Sequence, residues 1–165
     1  MTNPEAALIN ARRARARRAL GGLDYIRAVR SAVVAGAGQR EIARALGVAQ
    51  ASVSQLLAQA DARGVKPVPE GFSGASPYEI AERYAAGDID RVTMIRELSA
   101  WTYVKNEGLA AAQAEWESTP YPDTPGSFEE VGQARDEGLI DGEAYDLILD
   151  ASDEVPATEG LRSTA

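Results

Sequence analysis

Apolar residues between positions 23 and 62 recur at intervals of three and four, the spacing that places side chains on one face of an α-helix. Glycines interrupt the pattern at Gly36, Gly38 and Gly47. We therefore predict three helices, over 23–35, 39–46 and 49–62, within a unit spanning 23–66. Their inward positions predict one small core, made of Ile26, Val29, Val33, Ile42, Leu46, Val48, Val53 and Leu56.

Another helical pattern precedes this unit. Pro4 and Glu5 suit the first turn of a helix, and Gly21 with Gly22 predicts its end, so residues 1–22 are expected to form a basic helical arm. A thin apolar seam runs along this arm, made of Leu8, Ile9, Ala16 and Leu20. Two interpretations are open. The arm runs along nucleic-acid phosphates or enters a minor groove, or it is a solvated arm or a helix that packs its seam on a neighbour.

The connection at Gly47 has the features of a helix-turn-helix. Ala43 is small where two crossing helices would touch, and Gly47 adopts at little cost the left-handed conformation that ends a helix. The stretch resembles the large bacterial helix-turn-helix class, at Glu41, Ile42, Ala43, Leu46, Gly47, Val48, Val53, Ser54 and Leu57. It departs from that class at Ala49, where a serine or threonine usually caps the second helix. The resemblance implies a DNA-binding protein of the transcriptional regulator or antitoxin type.

Glycines and prolines predict a linker over 67–75, after which the sequence repeats at a separation of 51 residues. The repeat pairs two capping boxes, two helix-ending glycines and two helix-capping aspartates: Ser76 and Glu79 with Ser127 and Glu130, Gly87 with Gly138, and Asp90 with Asp141. Each copy is a predicted helical hairpin, and the hairpins resemble the short bacterial SHOCT-type module. We place a helical hairpin region at 76–117, a proline-rich linker at 118–126, the second hairpin at 127–151 and a disordered tail at 152–165.

Charge divides the chain at the first linker. Residues 1–66, the basic half, hold eleven Lys and Arg against four Asp and Glu, a net charge of +7. Residues 67–165, the acidic half, hold six against twenty-one, a net charge of −15. The basic half suits contact with phosphate, whereas phosphate would repel the acidic half.

The residue types argue against an enzyme. The chain has no cysteine and no histidine, which argues against disulfides, the usual zinc sites and histidine-based catalysis. No nucleophile with a base, carboxylate metal cluster or phosphate-binding loop is evident, so we expect no catalytic activity, no metal and no cofactor. Neither a membrane-spanning run nor a secretory signal is evident, and a cytoplasmic protein is expected.

The outward positions of the second helix of the motif are candidates for contacting DNA bases: Gln50, Ala51, Ser54 and Gln55. Glutamine can bond adenine through two hydrogen bonds, serine can bond a base or a phosphate, and alanine can touch a thymine methyl group. The candidates for phosphate contacts are Arg12, Arg13, Arg15, Arg17, Arg18, Arg40, Arg44 and Arg63. One short helix offers a small recognition surface, so we expect a homodimer on paired half-sites.

These patterns predict an all-α protein with a three-helix helix-turn-helix unit followed by acidic helical hairpins. The predicted function is sequence-specific binding of double-stranded DNA, most simply by a transcriptional regulator. Two alternatives remain open at this stage. One is an antitoxin whose acidic half binds a toxin, and the other is a phage or plasmid factor for DNA packaging or partition.

Overall fold

The structure is a computed structural model that describes residues 3–105 and 124–153, and all regular elements in these ranges are helices. The all-α prediction is confirmed. The helices are α1 (Pro4–Val34), α2 (Gln39–Leu46), α3 (Gln50–Ala62), α4 (Pro77–Ala86), α5 (Arg91–Ala100), α6 (Glu129–Asp136) and α7 (Gly142–Asp153). Residues 106–117 of the predicted hairpin region, most of the linker at 118–126 and most of the tail at 152–165 lie outside the described residues. Residues 152 and 153, expected in the tail, belong to α7.

The helix α1 runs without interruption for 31 residues, so the predicted end at Gly21 and Gly22 is wrong. A helical glycine costs about 1 kcal/mol relative to alanine. However, Leu20 before the pair and Ile26 after it are both buried, and burying one such side chain contributes about 1.5–3 kcal/mol. Packing on both sides therefore outweighs the weak helix propensity of the two glycines. The predicted basic arm and the first predicted helix of the next unit are one element.

The C-terminal part of α1 packs with α2 and α3 into a three-helix unit, which we call the head. Its buried core consists of Val29, Ile42, Ala43 and Val53, in agreement with the predicted helical phase. Three predicted core positions are wrong, because Val33, Leu46 and Val48 are 40%, 41% and 39% exposed. Three helices enclose only a shallow core, and no further described helix packs on α2 or α3 to cover its rim.

Residues 67–75 contain no helix, as predicted, but they are packed against α5. The Phe72 ring meets the Trp101 ring edge-on, with 4.9 Å between centroids. The backbone amide and the hydroxyl of Ser73 both donate to Glu97 Oε2, at 2.8 and 2.7 Å. Glu97 is itself buried. The predicted linker is therefore a fixed connection between two parts of one packed structure.

The 51-residue repeat corresponds to two similar helical hairpins, α4 with α5 and α6 with α7. Gly87 and Gly138 have φ angles of 82° and 75° at the predicted helix ends. Asp90 and Asp141 each accept a hydrogen bond from the backbone amide three residues later, at 2.7 and 2.8 Å. Because α4 packs on α6 and α5 on α7, the hairpins bury each other's apolar stripes. The shared core is Ile80, Ala81, Met94, Leu98, Val131, Ala134, Ile140, Ala144 and Ile148.

The two predicted capping boxes differ in outcome. At the first, Ser76 Oγ accepts a hydrogen bond from the Glu79 amide at 3.2 Å, while the Glu79 carboxylate accepts from the Ala75 amide at 3.0 Å in place of the Ser76 amide, so half of the box is formed. At the second box the prediction is wrong, because the hydroxyl of Ser127 is buried without a hydrogen-bond partner among the described groups. The helix α6 begins at Glu129, one residue later than predicted, without a side-chain cap.

The carboxylate of Glu130, the other member of the second box, connects the two hairpins. It accepts hydrogen bonds from the Gly126 amide at 2.8 Å and from the Tyr78 amide at 2.9 Å. Tyr78 lies in the first turn of α4, where backbone amides have no partner within the helix. Glu130 thus caps α4 across the hairpin interface.

The N-terminal part of α1 packs on α4. Ala16 and Leu20 form a buried cluster with Ala86, which supports the packing interpretation of the seam at these two positions. Leu8 and Ile9, nearer the N-terminus, are 65% and 51% exposed. One helix therefore joins the basic head to the acidic hairpins.

A partly buried ion-pair network contributes to this junction. Arg27 donates two hydrogen bonds to the Glu79 carboxylate, at 2.6 and 2.8 Å. Arg83 donates to Glu79 at 3.0 Å and to Asp24 at 2.5 Å. Burial raises the pKa of Glu79, but the hydrogen bonds from Arg27 and from a backbone amide outweigh it and hold the pKa below its usual value. The network sets the orientation of α1 on α4.

Candidate nucleic-acid interface

The helices α2 and α3 are joined by the three residues 47–49, as predicted. Gly47 has a φ of 68°, and its amide and the next one bond carbonyls in the last turn of α2. That conformation is costly for any residue with a Cβ atom. Ala49 precedes α3 without a side-chain cap, as its departure from the helix-turn-helix pattern predicted. The connection therefore depends on Gly47 and on packing of Ala43 and Val53, both buried.

The four candidate base-contacting residues share the outward face of α3, which we call the recognition face: Gln50, Ala51, Ser54 and Gln55. All four are exposed. Within the described ranges α3 packs on α1 and α2 alone, and none of the acidic hairpins reaches it. Among the described residues nothing packs on this surface of about one and a half helical turns, so it is open to a ligand on the basic half of the chain.

Hydrogen bonds between α2 and α3 hold two of these side chains. Arg40 Nε donates to Gln50 Oε1 at 3.2 Å, and Ser54 Oγ donates to Gln39 Oε1 at 2.6 Å. The Gln50 amide nitrogen and the remaining Arg40 donors are left for other partners. Gln39 was missed by the sequence reasoning, since helical spacing shows which face a residue occupies but not which residue of another helix lies opposite it.

The candidate phosphate-contacting arginines separate into two groups. Arg40, Arg44 and Arg63 are exposed on α2 and at the end of α3, in the head. Arg17 and Arg18 are exposed on α1 and form no ion pair with a described residue. These five remain candidates for phosphate contacts.

The other three arginines face the acidic hairpins. A Cβ atom placed on Gly87 would lie 3.5 Å from Arg13 Nε, and one placed on Gly138 would lie 3.2 Å from Arg12 Nη1. Each guanidinium therefore sits at the carboxyl end of a hairpin's first helix, where the helix dipole favours positive charge. Arg15 borders a small pocket between α1 and the hairpins. These positions do not bring the three side chains together with the recognition face.

The pocket beside Arg15 contains a group of interacting side chains. The Tyr78 hydroxyl donates to Glu137 at 2.5 Å, and burial together with this bond raises the pKa of Tyr78. Burial and the nearby Glu79 charge raise the pKa of Glu82, while the positive charge of Arg15 acts in the opposite direction. Arg15 therefore acts as a counter-charge to carboxylates of this chain.

Within residues 3–105 and 124–153, no group of three or more Asp and Glu side chains is arranged to hold a metal ion. No helix in these ranges is both long enough and apolar enough to cross a membrane. Comparison of the whole chain with protein-family models, curated proteins and solved structures gives no match.

Proposed function

We propose that this protein binds double-stranded DNA sequence-specifically through the recognition face and acts as a transcriptional regulator. The observation that carries the proposal is the exposed polar face of α3, which lies on a basic half of net charge +7 and is not covered by the acidic hairpins. A helix presented beyond its supporting helices can enter the major groove of B-form DNA.

Within this proposal, Gln50 and Gln55 supply most of the base discrimination. The hydrogen bond from Arg40 restrains Gln50 before DNA arrives, so less side-chain entropy is lost on binding. No lysine or arginine lies within α3, and guanine is most often read by arginine. We therefore expect a preferred site whose adenines matter more than its guanines.

Phosphate contacts come from Arg40, Arg44 and Arg63, with Arg17 and Arg18 as further candidates on α1. These side chains are exposed and form no ion pair within the described residues. The acidic half, at net −15, is unsuited to approach phosphate. Affinity should therefore fall steeply with salt.

The regulator is preferred to the antitoxin because of the hairpin core. Unburied apolar stripes on the acidic half would have called for a partner, but the hairpins bury these stripes against each other. Nothing in the described residues favours a packaging or partition factor over a regulator.

The test uses the full-length protein. Bound fragments are selected from genomic DNA, and affinities for the selected site and for random duplex are measured by fluorescence anisotropy. We expect Gln50→Ala and Gln55→Ala each to cost about 1–3 kcal/mol on the selected site and little on random DNA. Ala51→Glu should weaken both, because it adds a negative charge to the recognition face. Gln133→Ala removes an exposed glutamine from α6 and should change neither affinity.

The arginines provide a second comparison in the same assay. Replacing both Arg40 and Arg44 by alanine should reduce the magnitude of the slope of log affinity against log salt by about 2, roughly one for each lost phosphate contact. Replacing both Arg12 and Arg13 should leave that slope unchanged, since their guanidinium groups face the hairpins. Absence of duplex binding at low salt, or equal loss on selected and random DNA in the glutamine variants, would overturn the proposal.

A further inference from the structure

The head has an apolar groove between α1 and α2 that no described residue covers, and we call it the α1–α2 groove. Its lining includes Tyr25, Ala28 and Ala32 of α1, and Ala45 and Leu46 of α2. Tyr25 is 42% exposed and Leu46 is 41% exposed. An exposed tyrosine and leucine that share one concave apolar surface are typical of an interaction site.

The groove lies on the side of α2 that faces away from α3. Gln39 and Arg40 face α3, because each shares a hydrogen bond with one of its side chains. Glu41 and Ala45 line the groove. A partner seated in the groove would therefore leave the recognition face free.

The charges beside the groove are complementary to those of a second copy. Glu41 lines the groove and forms no ion pair with any described residue. Arg18 lies seven residues before Tyr25, about two helical turns away on the same face of α1, and it also forms no ion pair within the described ranges. Within residues 3–105 and 124–153, this surface thus has an acid without an ion-pair partner at one end and a base without one at the other.

A two-fold axis would bring these charges together. In a symmetric dimer the same surface of both copies meets itself. Suppose that the two α1 helices cross antiparallel near Ala28. Arg18 of one copy then lies about 15 Å along its helix from the crossing point, on the side where the second copy's α2 lies. Glu41 is in the first turn of that helix. Small residues at the crossing, Ala28 and Ala32, would let the helices approach closely.

We propose that a second copy of this chain occupies the α1–α2 groove, with α1 of each copy crossing α1 of the other and Arg18 of each paired with Glu41 of the other. In this arrangement Arg18 is a dimer contact, and Arg17 is the remaining phosphate candidate on α1. Tyr25 and Leu46 of both copies are then buried at the centre. This inference deepens the proposed function by placing two recognition faces in one particle, but the assembly is formed without DNA and can be measured without it.

Sedimentation equilibrium of the full-length protein over a range of micromolar concentrations tests the assembly. We expect a dimer, and Ala28→Glu should weaken it by at least about tenfold, because an unpaired charge in an apolar interface is costly. Ala28 is exposed, and glutamate is a good helix former, so circular dichroism should show an unchanged fold. Ala51→Glu, the same change on the recognition face, should keep the dimer mass while losing DNA binding.

Charge exchange then tests the arrangement. Arg18→Glu and Glu41→Arg should each weaken the dimer, and the double variant should recover it. A monomer at all concentrations would overturn the proposal, as would a dimer that Ala28→Glu leaves intact or a double variant without recovery. The protein could also be a monomer whose melting temperature is lowered by Ala28→Glu. That result would mean that another part of the same chain, such as residues 106–123, occupies the groove, and it would also overturn the proposal. A dimer that does not bind DNA would leave this inference standing and remove the proposed function.

Discussion

The carboxylate of Glu79, in the acidic half, is hydrogen-bonded to Arg27 of the basic half. Its side chain is 7% exposed, and those of Arg27 and Arg83 are 15% and 13% exposed. Glu79→Gln keeps the shape but leaves two nearly buried guanidinium groups without their shared negative charge. We expect the free energy of unfolding to fall by about 2–4 kcal/mol, since breaking a buried pair strands the remaining charge. Urea unfolding of the wild type and of Glu79→Gln measures this difference in the free energy of unfolding.

The matched control is Glu143→Gln, which removes an ion pair with Arg91 from an 81% exposed side chain. Exposed pairs contribute about 0–1 kcal/mol, so this variant should be close to wild type in its free energy of unfolding.

The pKa of Glu79 is held below its usual value of 4.5, so the stability that its ion pairs contribute is complete above that pH. It is lost as pH falls through the lowered pKa. The difference between wild type and Glu79→Gln should therefore be constant from pH 7 to 5 and shrink below pH 4.5. Equal losses in the two variants at pH 7 would contradict this account.

At the scale of single elements, replacing glycine by alanine should change the free energy of unfolding in opposite directions at two positions, one inside a helix and one at a helix end. Gly21 is inside α1, exposed, and a Cβ atom there meets nothing within 4 Å. Gly21→Ala should raise the free energy of unfolding by about 0.5–1 kcal/mol, because alanine restricts the unfolded chain and favours helix. Gly87 ends α4 at a φ of 82°. Gly87→Ala should lower stability by about 1–2 kcal/mol, because an L residue is strained at that angle.

Thermal unfolding followed by circular dichroism measures both changes. If Gly21→Ala destabilised the protein, α1 would need flexibility or close approach at that point, and its description as one regular helix would be incomplete. If Gly87→Ala were neutral, the left-handed helix end would not be a requirement of the hairpin.

At the scale of the whole molecule, α1 belongs to two packed regions at once. Leu20 is buried against α4, whereas Val29 is buried in the head. We expect the head and the hairpins to unfold in one transition. Leu20→Ala should lower the free energy of unfolding by about 2–5 kcal/mol, as a large-to-small change in a core does. It should also increase amide hydrogen exchange in both α3 and α5, which are distant from the substitution in sequence.

Leu8→Ala is the control, because Leu8 lies on the same helix but is 65% exposed. Mass spectrometry of peptides from α3 and α5 compares the exchange rates of the two variants. Faster exchange in α5 alone, with α3 unaffected by Leu20→Ala, would mean that the head is stable without the hairpins.

Several features of the fold could be predicted from the sequence because short-range chemistry decides them. The positive φ at Gly47, Gly87 and Gly138 follows from the absence of a Cβ atom. The caps at Asp90 and Asp141 require only an acceptor three residues before a free amide. The 51-residue repeat can be recognised in the sequence because each hairpin has its own helix-ending glycine and helix-capping aspartate. The exposure of the recognition face follows from the same helical periodicity that placed Val53 in the core.

Only the tertiary structure decided the features that depend on which surfaces meet. Gly21 and Gly22 are helical because burial on either side of them stabilises α1. Val33, Leu46 and Val48 remain exposed because no described element covers the rim of the head. Glu130 caps α4 instead of its own helix because the hairpins pack face to face. Five arginines within seven residues look alike in sequence. Arg12, Arg13 and Arg15 nevertheless face the acidic hairpins, because helical rotation distributes neighbouring side chains around α1.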